Sequence, residues 1–219
     1  MRGSSPVAAG DAAAAERLHA GLGALGLALP AQAEHALLAY LDLLARWNRV
    51  FNLTAVRDTD EMVTRHLLDS LAVVPHLPPG ALVDVGSGAG LPGIPIAIAD
   101  PARPVVLLDR SHKRMGFLTE AAARLGLQNV TPVCARAEDF RPPQPFEVVI
   151  TRAFASLADA VAATRHLLSP TGVALAMKGA LPTEEMAQLP PDVTVRAVQP
   201  LAVPGLNARR HLVVLAYSA

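Results

Sequence analysis

The stretch Leu82-Val83-Asp84-Val85-Gly86-Ser87-Gly88-Ala89-Gly90 decides the fold of this chain. Three aliphatic residues and one acid read as a short buried strand. Glycine then occupies every second position, and a helix is expected from about Leu91-Pro92-Gly93. A strand that ends in glycines and turns into a helix is where α/β proteins hold nucleotide-like ligands. Glycine admits positive φ and leaves no Cβ between main chain and ligand.

Downstream of this stretch, strands and helices alternate. Strands are expected at 81–85, 105–109, 129–134, 147–151 and 172–177. Helices are expected at 113–125, capped by Gly126, and at 156–168. Two last strands, 193–198 and 211–217, have no clear helix directly between them. The pattern predicts an α/β fold: a mostly parallel seven-stranded sheet, helices on both faces, and a closing antiparallel hairpin. Upstream, Leu37, Leu41, Leu44 and Trp47 recur at helical spacing, as do Val63, Leu67, Leu71 and Val74. Asp58, Asp60 and Glu61 open the second helix, where the helix dipole favours acids. The Ala-rich start, through residue 15, reads as a frayed tail. The expected organisation is a single domain, 1–219, with a flexible tail at 1–10, a helical extension at 11–75 and an α/β core at 76–219.

Composition bounds the function. Of 219 residues 52% are apolar, enough for a sizeable core, yet only 4% are aromatic. That scarcity argues against a module that stacks bases on exposed rings. Nineteen basic residues balance nineteen acidic ones, so net charge gives no evidence for a nucleic-acid partner. Cys134 is the single cysteine, which excludes intramolecular disulfides and cysteine-clustered metal sites. It ends an apolar strand and reads as a core residue. No metal site is expected. The start lacks a signal-peptide pattern, and no apolar run approaches the ~18 residues of a membrane span. A cytoplasmic protein without a membrane partner is expected.

The glycines admit two registers. Gly88-Ala89-Gly90-Leu91-Pro92-Gly93 fits the dinucleotide pattern. Asp84-Val85-Gly86-Ser87-Gly88-Ala89-Gly90 fits the acid-x-G-x-G-x-G pattern of S-adenosylmethionine (SAM) methyltransferases. The second places a glycine directly after the strand, and the first leaves Gly86-Ser87 unexplained. Asp109 ends the next strand, where an acid accepts both ribose hydroxyls. It supports a ribose without naming the cofactor, and a helix N-cap role stays open. In Ala137-Glu138-Asp139 an acid either meets an adenine amino group or is a solvated loop charge.

These residues and several others resemble the bacterial small-subunit rRNA guanine-N7 methyltransferases, the glucose-inhibited division protein B family. The resemblance runs through Trp47-Asn48 and Asn52-Leu53-Thr54, Arg65-His66 with Asp69-Ser70, and Leu91-Pro92-Gly93-Ile94-Pro95. It continues through Lys113-Arg114, Arg152-Ala153-Phe154-Ala155, Lys178-Gly179 and Arg210-His211-Leu212-Val213-Val214. It implies a Rossmann-like class I SAM methyltransferase whose acceptor is a guanine of 16S ribosomal RNA near the decoding site. It implies cofactor contacts at Gly86, Leu91, Ala137, Glu138 and Arg152, to which the glycine and strand-end arguments add Gly88 and Asp109. The small Ala137 leaves only backbone contact with adenine.

The residues agree with that chemistry. Guanine N7 carries an in-plane lone pair and no hydrogen, so no general base is needed and no catalytic residue is assigned. Amine methylation needs an acceptor after the fourth strand, whereas Arg152 has only donors. Arg152 reaches either guanine O6 or the cofactor carboxylate, and the resemblance favours the cofactor. Lys113, Arg114, Lys178 and Arg210 are expected to hold RNA, within a basic rim that includes Arg46, Arg49, Arg57, Arg65 and Arg209. His66 and Asp69 lie one turn apart and read as contacts for the guanine edge or as a helix-surface pair. The partner is 16S rRNA or the small ribosomal subunit, and a monomer is expected. The alternatives are a SAM-dependent enzyme acting on another RNA, protein or small molecule, a NAD-dependent oxidoreductase, and a non-enzymatic ribosome binder.

Overall fold

The structure is a computed structural model that describes residues 9–154 and 156–217. Seven strands form one sheet: β1 (Leu82–Val85), β2 (Val105–Asp109), β3 (Val130–Cys134), β4 (Phe146–Arg152), β5 (Leu168–Lys178), β6 (Val193–Pro200) and β7 (His211–Tyr217). Their order is β3-β2-β1-β4-β5-β7-β6. The first five run parallel, and β7 is antiparallel to both β5 and β6. The order reverses between β2 and β4 at β1. Ligands in open α/β sheets bind at that switch point, outside the carboxyl ends of the strands. The glycines leave β1 there.

Eight α-helices accompany the strands among the described residues: α1 (Ala9–Ala24), α2 (Ala31–Phe51), α3 (Thr59–Met62), α4 (Asp69–Leu71), α5 (Gly93–Ala99), α6 (His112–Arg124), α7 (Leu157–Thr164) and α8 (Thr183–Ala187). β1 is buried at all four positions, as its run of apolar residues predicts. Gly126 takes φ 65 after α6 and ends it as expected.

Four expectations change. Residues 1–8 of the tail lie outside the described residues, but the helix already begins at Ala9. Alanine is the best helix former, and Ala14, Leu18 and Leu22 bury one side of α1 in the core. The second amphipathic segment is not one regular helix. A π segment, Val63–Leu68, joins α3 to α4 and admits an extra residue per turn. α7 gives way to a 3-10 turn at Arg165–Leu167, and β5 starts at Leu168, ahead of the expected 172. Pro170 cannot continue a helix, and the β4–β5 pairing shifts register between Phe146 and Val148 to absorb the turn. Cys134 is exposed rather than core, because β3 is an edge strand that ends there.

The helical extension packs into the same core as the sheet. Leu18, Leu37, Leu41 and Leu44 join Ile94, Leu107 and Phe117 in one buried cluster. An aromatic seam binds α2 to α6: Trp47 meets Phe117 edge-on at 5.6 Å and Phe51 at 4.9 Å between centroids. Because that core is shared, Leu37→Ala is expected to shift the whole unfolding transition by about 2–5 kcal/mol, with the denaturant slope unchanged. Equilibrium urea denaturation checks this. A second transition confined to the helices would contradict it.

Candidate functional site

The loop between β1 and α5 takes positive φ at Gly86 (72°), Gly88 (59°) and Gly90 (85°). At Gly90 a Cβ would lie 2.5 Å from Ile94 Cδ1 and 2.9 Å from Leu118 Cδ2, so this glycine serves packing. At Gly86 the nearest atom to a Cβ would be the Phe154 ring, 3.6 Å away. At Gly88 it would be the Gly86 carbonyl, at 3.8 Å. These two therefore open space on the loop's outer side instead of filling a tight fit.

Three buried groups fix the loop. Gly88 donates its N–H to Asp109 Oδ2 (3.0 Å). Tyr40, from α2, donates its hydroxyl to the Ala89 carbonyl (2.6 Å). Gly93, at the start of α5, donates its N–H to Asp84 Oδ2 (2.8 Å). Asp84 Oδ1 is buried with no partner. Burial pushes the Asp84 carboxyl up to about 7, against the opposing pull of the Gly93 N–H and of Arg152. Tyr40 escaped the sequence reading. Its position inside the Leu37–Leu44 stripe was the available signal, since a tyrosine there needs a buried partner for its hydroxyl.

A cleft of about 270 Å³ opens against this loop. Its walls include Gly86, Asp109, Arg114, Ala137, Glu138 and Phe154. Asp109 is buried and accepts from Gly88, from Ser111 N–H (2.9 Å) and from Arg114 Nη1 (3.0 Å). Ser111, not Asp109, is the side-chain N-cap of α6. A carboxylate has about four acceptor positions, so a diol that displaces Arg114 finds two. The cleft thus gathers Gly86, Asp109, Ala137 and Glu138, with Gly88 bonded to its floor. Leu91, within the loop, is 2% exposed and packs into the core, so this expected cofactor contact is not among the cleft's walls.

Beside the cleft lies a second pocket of about 490 Å³. Phe154 walls both. Arg152, Lys178 and Arg210 line this second space, together with His66 and Asp69. Ala153, between Arg152 and Phe154, takes φ 63, a left-handed conformation unusual for a residue with a Cβ. Lys178 anchors the turn: Nζ meets Glu185 Oε2 at 2.7 Å and the Phe154 carbonyl at 3.5 Å. Ala155 lies outside the described residues. Asp69 is buried, not a surface partner of His66, and its carboxylate accepts from Arg210 Nε at 2.7 Å and lies 3.6 Å from Arg152 Nη1. His66 is 6% exposed and its Nε2 bonds Thr54 Oγ1 (2.9 Å). Burial pushes its imidazole down to about 4. Its Nδ1 has no partner.

The expected basic rim is largely committed to inner partners. Arg114 is paired with Asp109, Lys178 with Glu185, Arg210 with Asp69 and Arg57 with Asn52 Oδ1. Lys113 is exposed and stands over the Phe51 ring at 5.3 Å. Arg46, Arg49 and Arg209 are exposed as well. Among the described residues no group of three His, Cys, Asp or Glu side chains is arranged for a metal. No described helix is long and apolar enough to cross a membrane.

This geometry sits within a clear set of similarities. The model of the rRNA small subunit methyltransferase G (GidB) family matches residues 33–213. The chain is 53% identical over 200 residues to the ribosomal RNA small subunit methyltransferase G of Laribacter hongkongensis, covering 91% of this chain and 97% of that one. It is 50% identical to the protein of the same name from Pseudomonas aeruginosa, over 94% and 96% of the two chains. Among solved structures, a glycopeptide N-methyltransferase complexed with S-adenosylmethionine superposes with a TM-score of 0.56 at 16% identity, covering 70% of this chain and 95% of that one. A ribosomal protein L11 methylase from Lactobacillus delbrueckii gives 0.53 at 17% identity, over 69% and 77%. The last two share the fold of class I SAM methyltransferases.

The Asp84 carboxyl has a testable titration. Its folded value is raised above 3.8, so its contribution to stability is full below about 4 and lost as pH rises toward about 7. Asp84→Asn removes that titration. The wild type is expected to lose stability relative to Asp84→Asn between pH 4 and 7, by at most ~1.4 kcal/mol per pH unit, and to run parallel above 7. Denaturation midpoints of both proteins across this range check it. A gap that fails to widen with pH would contradict it.

Proposed function

The chain belongs to the rRNA small subunit methyltransferase G family, and from that membership we propose that it methylates N7 of a guanine in 16S ribosomal RNA near the decoding site. It is an S-adenosylmethionine-dependent methyltransferase. Its substrate is the rRNA itself or the small ribosomal subunit, and it acts as a monomer in the cytoplasm. The observation that carries this reading is the arrangement after β4. Arg152, Ala153 and Phe154 line the second pocket, and Phe154 also walls the cleft, at the strand end where an amine methyltransferase needs a hydrogen-bond acceptor.

The cleft fits SAM. Gly86 and Gly88 are open to main-chain approach, and Asp109 is a buried acceptor for a ribose diol once Arg114 turns away. Ala137 and Glu138 flank an adenine, with Ala137 contacting through its backbone and Glu138 accepting from the amino group. Leu91 contributes its main chain. Arg152, beside the pocket floor, meets the amino-acid carboxylate. Held there, SAM would supply an electrophilic methyl on its sulfonium, and the lone pair of guanine N7 needs no proton removed to accept it. The protein supplies no base in that step. It aligns the two reactants and holds water away. Lys113, with Arg46 and Arg49 on the neighbouring helix, offers free charge for phosphates, which position the RNA without reading sequence. Arg114, Lys178 and Arg210 act closer in, each from a carboxylate partner.

Two measurements test the reading. Purified protein incubated with labelled SAM and small subunits from a strain lacking this gene is expected to transfer label, recovered as 7-methylguanosine in 16S rRNA. Label in another nucleoside, or in protein, would overturn the assignment. Gly86→Val forces a β-branched side chain into positive φ at the cleft wall. Calorimetry is expected to show SAM affinity reduced at least ~100-fold while the far-ultraviolet spectrum persists. Unchanged affinity would refute the placement.

A further inference from the structure

We propose that the second pocket, walled by His66, Asp69, Arg152, Phe154, Lys178 and Arg210, receives the target guanine, with Asp69 as the positioning residue that aims Arg210 at the base's O6. The proposal rests on the function stated above and names the groups that read the base. Four observations converge on this space. First, it shares Phe154 with the cofactor cleft, so a base against that ring lies beside the cofactor. Second, the π segment Val63–Leu68 carries His66 into its wall and leads directly to Asp69; π turns insert an extra residue and recur at functional sites. Third, the left-handed Ala153 forms the opposite wall, held by Lys178 and Glu185. Fourth, His66, a lining residue of this pocket, keeps a buried Nδ1 without a hydrogen-bond partner, and an unmet buried polar atom costs ~1–3 kcal/mol.

The donor set suits the Hoogsteen edge of guanine, which offers two acceptors, N7 and O6. Arginine ordinarily takes both at once. Here N7 must stay free to attack, so only a single bond to O6 is productive. Asp69 enforces this. Its Oδ1 takes the Arg210 Nε–H at 2.7 Å, and the Arg209 carbonyl takes one Nη1 proton at 3.0 Å. The guanidinium is thereby held at two of its nitrogens, Nε and Nη1, and among the described residues Nη2 is left as the donor without a protein partner. Asp69 Oδ2 lies 3.6 Å from Arg152 Nη1, a second arginine lining the same pocket. Asp69 is also the only carboxylate in this pocket's wall among the described residues. Methyl transfer moves a positive charge from sulfur to the purine, toward that carboxylate. Phe154 supplies the stacking face.

The test uses the full chain and small subunits lacking the mark, with Asp69→Asn, Arg210→Lys and the double variant. Arg210→Lys keeps the charge and loses the planar fork. Both single variants are expected to lower kcat by about 100-fold, with SAM affinity and KM for the subunit within about threefold of wild type. The double variant is expected to lose no more than the worse single one. Arg210 as a phosphate ligand would instead raise KM, with Arg210→Lys nearly as active as wild type; that result overturns the proposal. So does an additive double variant, or an Asp69→Asn that matches wild type in kcat. If Asp69→Asn fails to fold, Arg210→Lys decides alone by the same kcat-against-KM split. Absence of label with the wild-type protein overturns the function reading, and this proposal with it.

Discussion

A loop with three left-handed glycines is held from outside: the Leu108 carbonyl on β2 takes the Gly86 and Ser87 N–H groups, and three side chains add one hydrogen bond each. Asp109 on β2, Tyr40 on α2 and Asp84 on β1 each take one main-chain group of the loop or of the helix that follows. All three side chains are buried, where a hydrogen bond is stronger than in water and an unmet polar group is costly. The consequence is a bare stretch of backbone held rigidly at the topological switch point. Tyr40 also gives the helical extension a function. The extension shares the core with the sheet, and through one hydroxyl it sets the position of the ligand loop.

The two spaces beside this loop have different electrostatic characters. The cleft at the glycine loop has the buried carboxylate of Asp109 and the small residues Gly86, Ala135 and Ala137 in its walls, which suits a ribose and a flat base. The second pocket is lined by donors, and its cations answer to inner carboxylates: Arg210 to Asp69, Lys178 to Glu185. Cations anchored in this way cannot sweep the surface for phosphates. They act as directed donors. A net-neutral chain can therefore still present a strongly donating site, and under the function proposed above the exposed Lys113 and Arg49 are left for RNA phosphates.

Much of this was legible in the chain. The alternation of apolar strands with helical stripes anticipated the seven strands, and the closing hairpin followed from the missing helix between the last two. The glycine run and Asp109 marked the cleft, because their requirement is local: positive φ next to a strand, and an acid at the end of its neighbour. The second pocket was not legible in the same way. Asp69 and Arg210 stand 141 residues apart, and only the fold brings them together. Periodicity placed His66 and Asp69 on a regular helix, because Val63 and Leu67 keep a helical stripe through the π segment that carries His66 and leads into Asp69. Asn48, Thr54 and His66 appeared as separate motif fragments. In the structure they form one chain of hydrogen bonds, from Asn48 Oδ1 to Thr54 N–H and from Thr54 Oγ1 to His66 Nε2. Cys134 was misjudged because strand position, edge or centre, is not written in a strand's own residues.

One aromatic wall, Phe154, borders both the cleft and the second pocket, so a methyl donor and its acceptor would meet across it. The most direct measurement is a structure of the protein on the small ribosomal subunit with S-adenosylhomocysteine bound. The account predicts the thioether sulfur in the cleft at Gly86, with an unstacked guanine across Phe154 and its N7 turned toward that sulfur. A guanine entering elsewhere, or a cofactor lodged outside the glycine loop, would contradict it.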